Sequence, residues 1–237
     1  MLTLPCAKIN LGLNITGERP DGYHELQTVF YPIPLTDALE IKLMDPEFPH
    51  DHPCDLKVTG NAVNCDEKSN LVVKAYDLLA ADFDLPPIHA HLYKRIPMQA
   101  GLGGGSSDGA YMIRLLDERF RLNIGIAEME RYAAQLGSDC PFFITSEPTF
   151  ATGRGEVLSP ADKPSGNLDG YYIVVVCPHI AVSTREAYAK ITCKTPEISC
   201  RDVVRQPIAT WKGRLTNDFE KPVFISHPQL ARIKQSL

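Results

Sequence analysis

The stretch Pro97-Met98-Gln99-Ala100-Gly101-Leu102-Gly103-Gly104-Gly105-Ser106-Ser107-Asp108 is the part of the sequence best equipped for chemistry. Gly101, Gly103, Gly104 and Gly105 let backbone N–H groups approach a ligand with no Cβ in the way, and the helix expected next, about Ser106–Phe120, adds the positive end of its dipole. Such a loop suits phosphate. A linker can share this composition, but a linker does not sit between an alternating strand and a periodic helix. Two familiar phosphate signatures do not fit. No Lys follows the loop as a Walker A sequence requires, and Ser106 stands where Rossmann spacing after Gly101 and Gly103 needs glycine or alanine. His50, His52, Cys54 and Cys65 supply metal-ligand types, yet they lie in a Pro- and Asp-rich stretch that reads better as a surface excursion.

The elements that must position this loop follow from periodicity. From Cys6 to Ile15, apolar Ile9, Leu11, Leu13 and Ile15 alternate with Lys8, Asn10, Gly12 and Asn14, which predicts a half-buried strand with Lys8 and Asn10 on its non-core face. Further strands are expected over Tyr23–Phe30, through Leu39, Ile41 and Leu43, and through Ile88, Ala90 and Leu92, the last leading into the glycine loop. Ser69 or Asn70 can cap a helix through Leu71, Val72, Ala75, Leu78 and Leu79. Another helix spans Ile126–Leu136 and stops at Gly137, with Ser138 or Asp139 able to cap a short one behind it. Thr149–Leu158 reads as a strand pair around Gly153-Arg154-Gly155, and Tyr171–Cys177 as a continuous apolar strand buried on both faces. Ser183-Thr184-Arg185-Glu186 is a capping box opening a helix through Ala187, Tyr188 and Ile191. A composition shift near 145–150 places the domain boundary.

Composition limits the partners. The chain has 237 residues, 44% apolar and 22% charged, as soluble globular proteins do. Its longest apolar run is far below the roughly 20 residues of a membrane helix, and no signal peptide opens it, so a cytoplasmic protein without membrane association is expected. Seven cysteines without a Cys-x-x-Cys pair fit reduced, mostly buried thiols. A net charge of −5 without a basic run gives no reason to expect nucleic acid.

Four segments together resemble one family. They are Pro5-Cys6-Ala7-Lys8-Ile9-Asn10-Leu11, the run Arg19-Pro20-Asp21-Gly22-Tyr23-His24-Glu25-Leu26-Gln27-Thr28, the glycine loop Pro97–Ser107, and Leu136-Gly137-Ser138-Asp139-Cys140-Pro141-Phe142-Phe143. The chain resembles the GHMP (galactokinase, homoserine, mevalonate, phosphomevalonate) kinases. Within them it is similar to the branch that uses ATP to phosphorylate the 2-hydroxyl of a cytidine diphosphate-linked methylerythritol in the non-mevalonate isoprenoid pathway. The glycine loop carries only the superfamily; the Asp-Gly-Tyr-His run is much narrower. The resemblance implies an α+β, two-lobed fold. Residues 1–147 would form an ATP-binding lobe like domain 2 of ribosomal protein S5, residues 148–237 an incomplete substrate lobe, and the active site would lie between them.

By the same resemblance, Asp139 is the catalytic base and Lys8 the cation that keeps it ionised. Taken alone, Asp139 reads as a helix cap ahead of Pro141 and Lys8 as a solvated strand residue. The loop Pro97, Met98, Gln99, Ala100, Gly101, Leu102, Gly103, Gly104, Gly105, Ser106 and Ser107 would hold ATP, with Asn70 and Lys94 near the adenosine. Tyr23 and Tyr188 would sandwich the cytosine and His24 meet its polar edge, while Asn10 and Thr184 lie near the diphosphate and methylerythritol. Asp108 stands where some relatives have Asn. Mg²⁺ is implied with ATP, its protein ligands and the oligomeric state being unreadable. The family's third motif is a second Gly/Ser-rich turn near the C-terminus, and no glycine follows Gly213 here. A chain without that turn is expected to bind nucleotide and turn over poorly. Two other readings stay open: another GHMP kinase of mevalonate or homoserine type, and a non-catalytic nucleotide-binding homologue.

Overall fold

The computed structural model describes residues 1–47, 50–61, 69–161, 168, 170–178, 180, 182, 187–188 and 191–237. The chain divides into two compact units, Met1–Ile9 with Pro32–Glu147, and Asn10–Tyr31 with Pro148–Leu237. One division falls between 147 and 148, and residues 10–31 group with the second unit.

The first unit is built on a sheet of β1 (Leu2–Thr3), β4 (Ala38–Leu43), β6 (Ile88–Lys94) and β5 (Cys54–Gly60), in that order. β4 and β6 are antiparallel with Leu39 opposite Leu92 and Ile41 opposite Ala90; β5 and β6 are parallel with Leu56 opposite Ala90. The alternation read from the sequence is what buries this face: Leu39, Ile41, Ile88 and Leu92 are enclosed, and Glu40 between them is exposed. Between the parallel strands the chain forms α1 (Leu71–Ala80), whose N-cap is Asn70: its Oδ1 accepts the Val72 N–H at 2.9 Å. Val72, Val73, Ala75, Tyr76 and Leu79 make its buried stripe. α2 (Gly104–Phe120) packs on α1, and α3 (Ile126–Leu136) and α4 (Phe142–Thr145) pack on α2.

The other sheet has the order β2 (Cys6–Glu18), β3 (His24–Thr36), β7 (Thr149–Thr152) and β8 (Val157–Pro160). In the second unit it carries a cluster of Leu13, Ile15 and Leu26, against which Tyr188, Ile191, Cys193 and Phe219 pack. The C-terminal helices α5 (Cys200–Val204), α6 (Glu220–Ser226) and α7 (Pro228–Ser236) follow, and Asn217 bridges to Leu13 on β2.

Four expectations change. Cys54–Gly60 is a strand and not part of a surface excursion; Cys54 and Leu56 are buried on it, and the His52 Nδ1 is occupied by the backbone of Cys54. Cys65 lies outside the described residues. Tyr171–Cys177 is irregular and exposed, Tyr172 completely so, because no strand pairs with it among the described residues. Lys8 is buried although it lies on the polar face of its strand, since the glycine loop covers it. The capping box, residues 183–186, lies outside the described residues; of the helix it is expected to open, Ala187 and Tyr188 are helical and Ile191 is not. Among the described residues no helix is long and apolar enough to cross a membrane.

Candidate active site

The glycine loop leaves β6 at Lys94 and enters α2 at Gly104, two residues earlier than its sequence suggests. Gly103 is the N-cap and sits in the left-handed region at φ +71°, so the backbone itself selects glycine. A Cβ there would come within 2.8 Å of Phe143 Cζ and 3.1 Å of Lys8 Cγ. At Gly104 a Cβ would meet Ile96 at 2.9 Å and the Lys94 ammonium at 3.3 Å. These glycines therefore let the loop close on Lys8 from one side and on Lys94 from the other. Beneath the loop lies a cavity of about 350 Å³, lined by residues 96–106 together with Ser69, Asn70, Leu71, Leu92, Lys94 and Asp108. Ser107 is fully buried behind it, its hydroxyl without a partner among the described residues.

Lys8 is placed by a backbone bond, its N–H donating to the Leu102 carbonyl at 2.9 Å, so β2 and the loop are stitched together at this residue. Its ammonium lies 3.3 Å from Asp139 Oδ2; the Lys8 side chain is 7% exposed and that of Asp139 35%. Asp139 does not cap a helix. α4 begins after Pro141 without a side-chain cap, which leaves the carboxylate to the ammonium on one side and to solvent on the other. Next to it the Cys140 thiol is pushed up to about 12 by burial, and Ser106 hydrogen-bonds it, tying the first turn of α2 to the 137–141 turn.

Lys94 lines this cavity from within a buried triad. Its ammonium is held by Asp37 and, at 2.6 Å, by Asp108, and all three side chains are buried. Asp37 also accepts the N–H groups of Arg95 (2.5 Å) and Ile96 (2.9 Å), the first residues of the loop. The triad thus fixes where the loop begins. Burial works to lower the Lys94 pKa, but the two carboxylates outweigh it and the group is raised; burial pushes Asp108 up to about 8, against the pull of Lys94. Among the described residues Asp108 Oδ1 has no hydrogen-bond partner. Asp37 escapes sequence reasoning because a single Asp between two alternating strands reads as a turn residue.

The substrate residues read from the sequence lie in the second unit. Asn10 donates to Thr28 Oγ1 at 2.8 Å, and Thr28 in turn donates to the Gly12 carbonyl at 2.6 Å. Tyr188 faces the His24 ring, centroids 4.9 Å apart at 30°, and meets Phe219 edge-on at 4.8 Å. Tyr23 is 56% exposed with the Arg154 guanidinium 4.9 Å over its ring. Its hairpin is braced by Arg19, which pairs with Asp21 and with Glu25. Thr184 lies outside the described residues.

A glycine loop opening a helix, with a Lys–Asp pair beside it, on a mixed α and β scaffold, matches known proteins in two ways. Residues 70–147 match the N-terminal domain of the GHMP kinases, which sets the class. Over its whole length the chain is 51% identical to the 4-diphosphocytidyl-2-C-methyl-D-erythritol kinase of Bacteroides thetaiotaomicron and, at 41%, similar to that of Cytophaga hutchinsonii, covering 84% of each. A crystal structure of 4-(cytidine 5'-diphospho)-2C-methyl-D-erythritol kinase superposes with a TM-score of 0.76 at 29% identity, over 98% of this chain and 81% of that one. The chain belongs to the 4-diphosphocytidyl-2-C-methyl-D-erythritol kinase family and is a small-molecule kinase with the GHMP kinase fold.

Proposed function

We propose that this chain transfers the γ-phosphoryl group of ATP to the 2-hydroxyl of 4-diphosphocytidyl-2-C-methyl-D-erythritol, a step of the non-mevalonate isoprenoid pathway. The observation that carries this reading is the Lys8–Asp139 pair held against the glycine loop. ATP arrives with Mg²⁺ as the substrate complex, its phosphates meeting the loop's N–H groups and the start of α2. Asp139 accepts the proton of the attacking hydroxyl as the new O–P bond forms and the bond to ADP breaks. Lys8, its ammonium 3.3 Å from that carboxylate, orients it and stabilises charge gathering at the reacting oxygen. Asn70 lines the adenosine pocket with its Oδ1 held by the cap, which orients its Nδ2 amide for the nucleotide. Lys94 acts by bracing the loop. ATP and the acceptor are both water-soluble, which supports a cytoplasmic reaction.

Gly103→Ala tests the loop. A left-handed non-glycine residue costs about 1–2 kcal/mol, and the overlaps with Phe143 and Lys8 add to it. ATP affinity is expected to fall at least ~10-fold by calorimetry, with the melting temperature lowered by about 2–8 °C through the strain itself. Unaltered affinity would place the nucleotide elsewhere.

Tyr23, Tyr188 and His24 are assigned to the cytosine, the aromatic rings by stacking, worth about 1–3 kcal/mol per base, and His24 by hydrogen bonding. His24 is 4.9 Å from the Tyr188 ring and so is oriented by it. A pocket that bonds the exocyclic amine leaves a buried group unpaired when the base becomes uracil. The CDP-linked substrate should therefore be preferred over its UDP analogue by at least ~10² in kcat/KM. Equal values would favour another GHMP kinase activity.

A further inference from the structure

Glu18, His24 and Cys193 bring a carboxylate oxygen, a ring nitrogen and a thiol sulfur to within 4.8 Å of one another in the second unit. They come from separate places in the chain. The turn between β2 and β3, closed by the Arg19 N–H on the Tyr23 carbonyl (2.8 Å) and the Gly22 N–H on the Arg19 carbonyl (3.0 Å), sets Glu18 beside His24. The Lys194 N–H, 2.9 Å from the Ile15 carbonyl, then fastens the Cys193 segment to β2. The neighbouring cation Arg19 is taken by Asp21 and Glu25 and does not neutralise Glu18. Tyr188 packs on the His24 ring and limits its rotation, while Glu18 is exposed, which leaves an entry path.

We propose that Glu18, His24 and Cys193 form a three-ligand site for a divalent cation of the zinc class. Sulfur, imidazole nitrogen and carboxylate oxygen are the donors such an ion takes, whereas Mg²⁺ takes oxygen. Bond lengths of about 2.0–2.3 Å to a tetrahedral ion require donors about 3.3–3.8 Å apart. From donors within 4.8 Å of one another the cluster reaches that by small side-chain rotations, largest for the exposed Glu18, and water would fill the fourth position. On binding, the Cys193 S–H bond breaks, its proton passes to solvent and the sulfur's electron pair forms the bond to the metal, so affinity rises with pH. Nothing is oxidised or reduced. The consequence rests on the assignment of His24 to the cytosine edge: a ring nitrogen bound to metal is withdrawn from the base, and the ion becomes an inhibitor competitive with the cytidine substrate and not with ATP.

Cobalt(II) is the probe. Titrated into the full chain, it is expected to give a thiolate-to-metal charge-transfer band that Cys193→Ser removes, with affinity for Co²⁺ falling at least ~10-fold in Glu18→Gln. Glu18→Gln is an exposed change that keeps the fold, so it decides the matter even if Cys193→Ser is unstable. A missing band, or one unchanged in both variants, overturns the site. In assays with excess Mg²⁺, Zn²⁺ should raise KM for the cytidine substrate in the wild type and not in Glu18→Gln. A Co²⁺ band lost in Cys193→Ser and needing more metal in Glu18→Gln, together with inhibition indifferent to the cytidine substrate, upholds the metal site and overturns the role of His24.

Discussion

Asp139→Asn is expected to bind ATP with near-normal affinity and to lose at least ~10²-fold in kcat, the usual cost of removing a positioned general base. The amide keeps the size of the carboxylate and cannot take the proton. Because Asp139 is 35% exposed and bonded to no helix end, the change should leave the melting temperature nearly unaltered, which separates chemistry from folding. Lys8→Met should fall on the same step. Its ammonium and the carboxylate are 3.3 Å apart and act as a unit, so the double variant should be little slower than the worse single one. Steady-state rates with saturating ATP and acceptor check this; fully additive losses would show two independent roles, and near-normal kcat in Asp139→Asn would remove the base from Asp139 altogether.

Much of this site is readable in one dimension because its parts are local. The loop's glycines, the strand before it and the helix behind it are consecutive, and Gly103 and Gly104 are demanded by contacts that any version of that turn must make. The burial of Lys8 was not legible. Period-two alternation places it on the polar face, and only the loop folding back across β2, through the Leu102 carbonyl, encloses it. Asp37 was invisible for the same reason, its partners Lys94 and Asp108 being far off in sequence. The apolar run Tyr171–Cys177 shows the opposite failure. Hydrophobicity makes a segment able to be a central strand, but a strand also needs hydrogen-bonding neighbours, and these depend on segments that local pattern does not name. At Cys54–Gly60 the Pro and Asp residues before the strand are loop signals, and the short alternation of Leu56 and Val58 is too weak a local pattern to outweigh them.

Lys94→Met should be the most damaging single change to stability. The Lys94 ammonium is buried between two buried carboxylates, and removing it leaves Asp37 as a charge without a counter-ion inside the first unit. Breaking a buried pair from one side costs about 3–5 kcal/mol, a large share of the roughly 5–15 kcal/mol that holds a typical domain together. The backbone N–H groups of Arg95 and Ile96 still solvate Asp37, which puts the loss at the lower end of that range. Asp108 sets the pH dependence. Its carboxyl is pushed up to about 8 by burial from an ordinary 3.8, so the folded chain keeps a proton that the unfolded chain gives up. Unfolding releases that proton between about pH 4 and pH 8, and the contribution to stability therefore falls as pH rises through this window and levels off above it. Asp108→Asn, which cannot ionise, should flatten that part of the profile while keeping the hydrogen bond to Lys94 through its carbonyl. Urea unfolding of the wild type and both variants at about pH 5 and about pH 8.5 is the measurement. A Lys94→Met loss below about 1 kcal/mol at either pH would mean that the triad is wetter than its burial implies and does not anchor the loop.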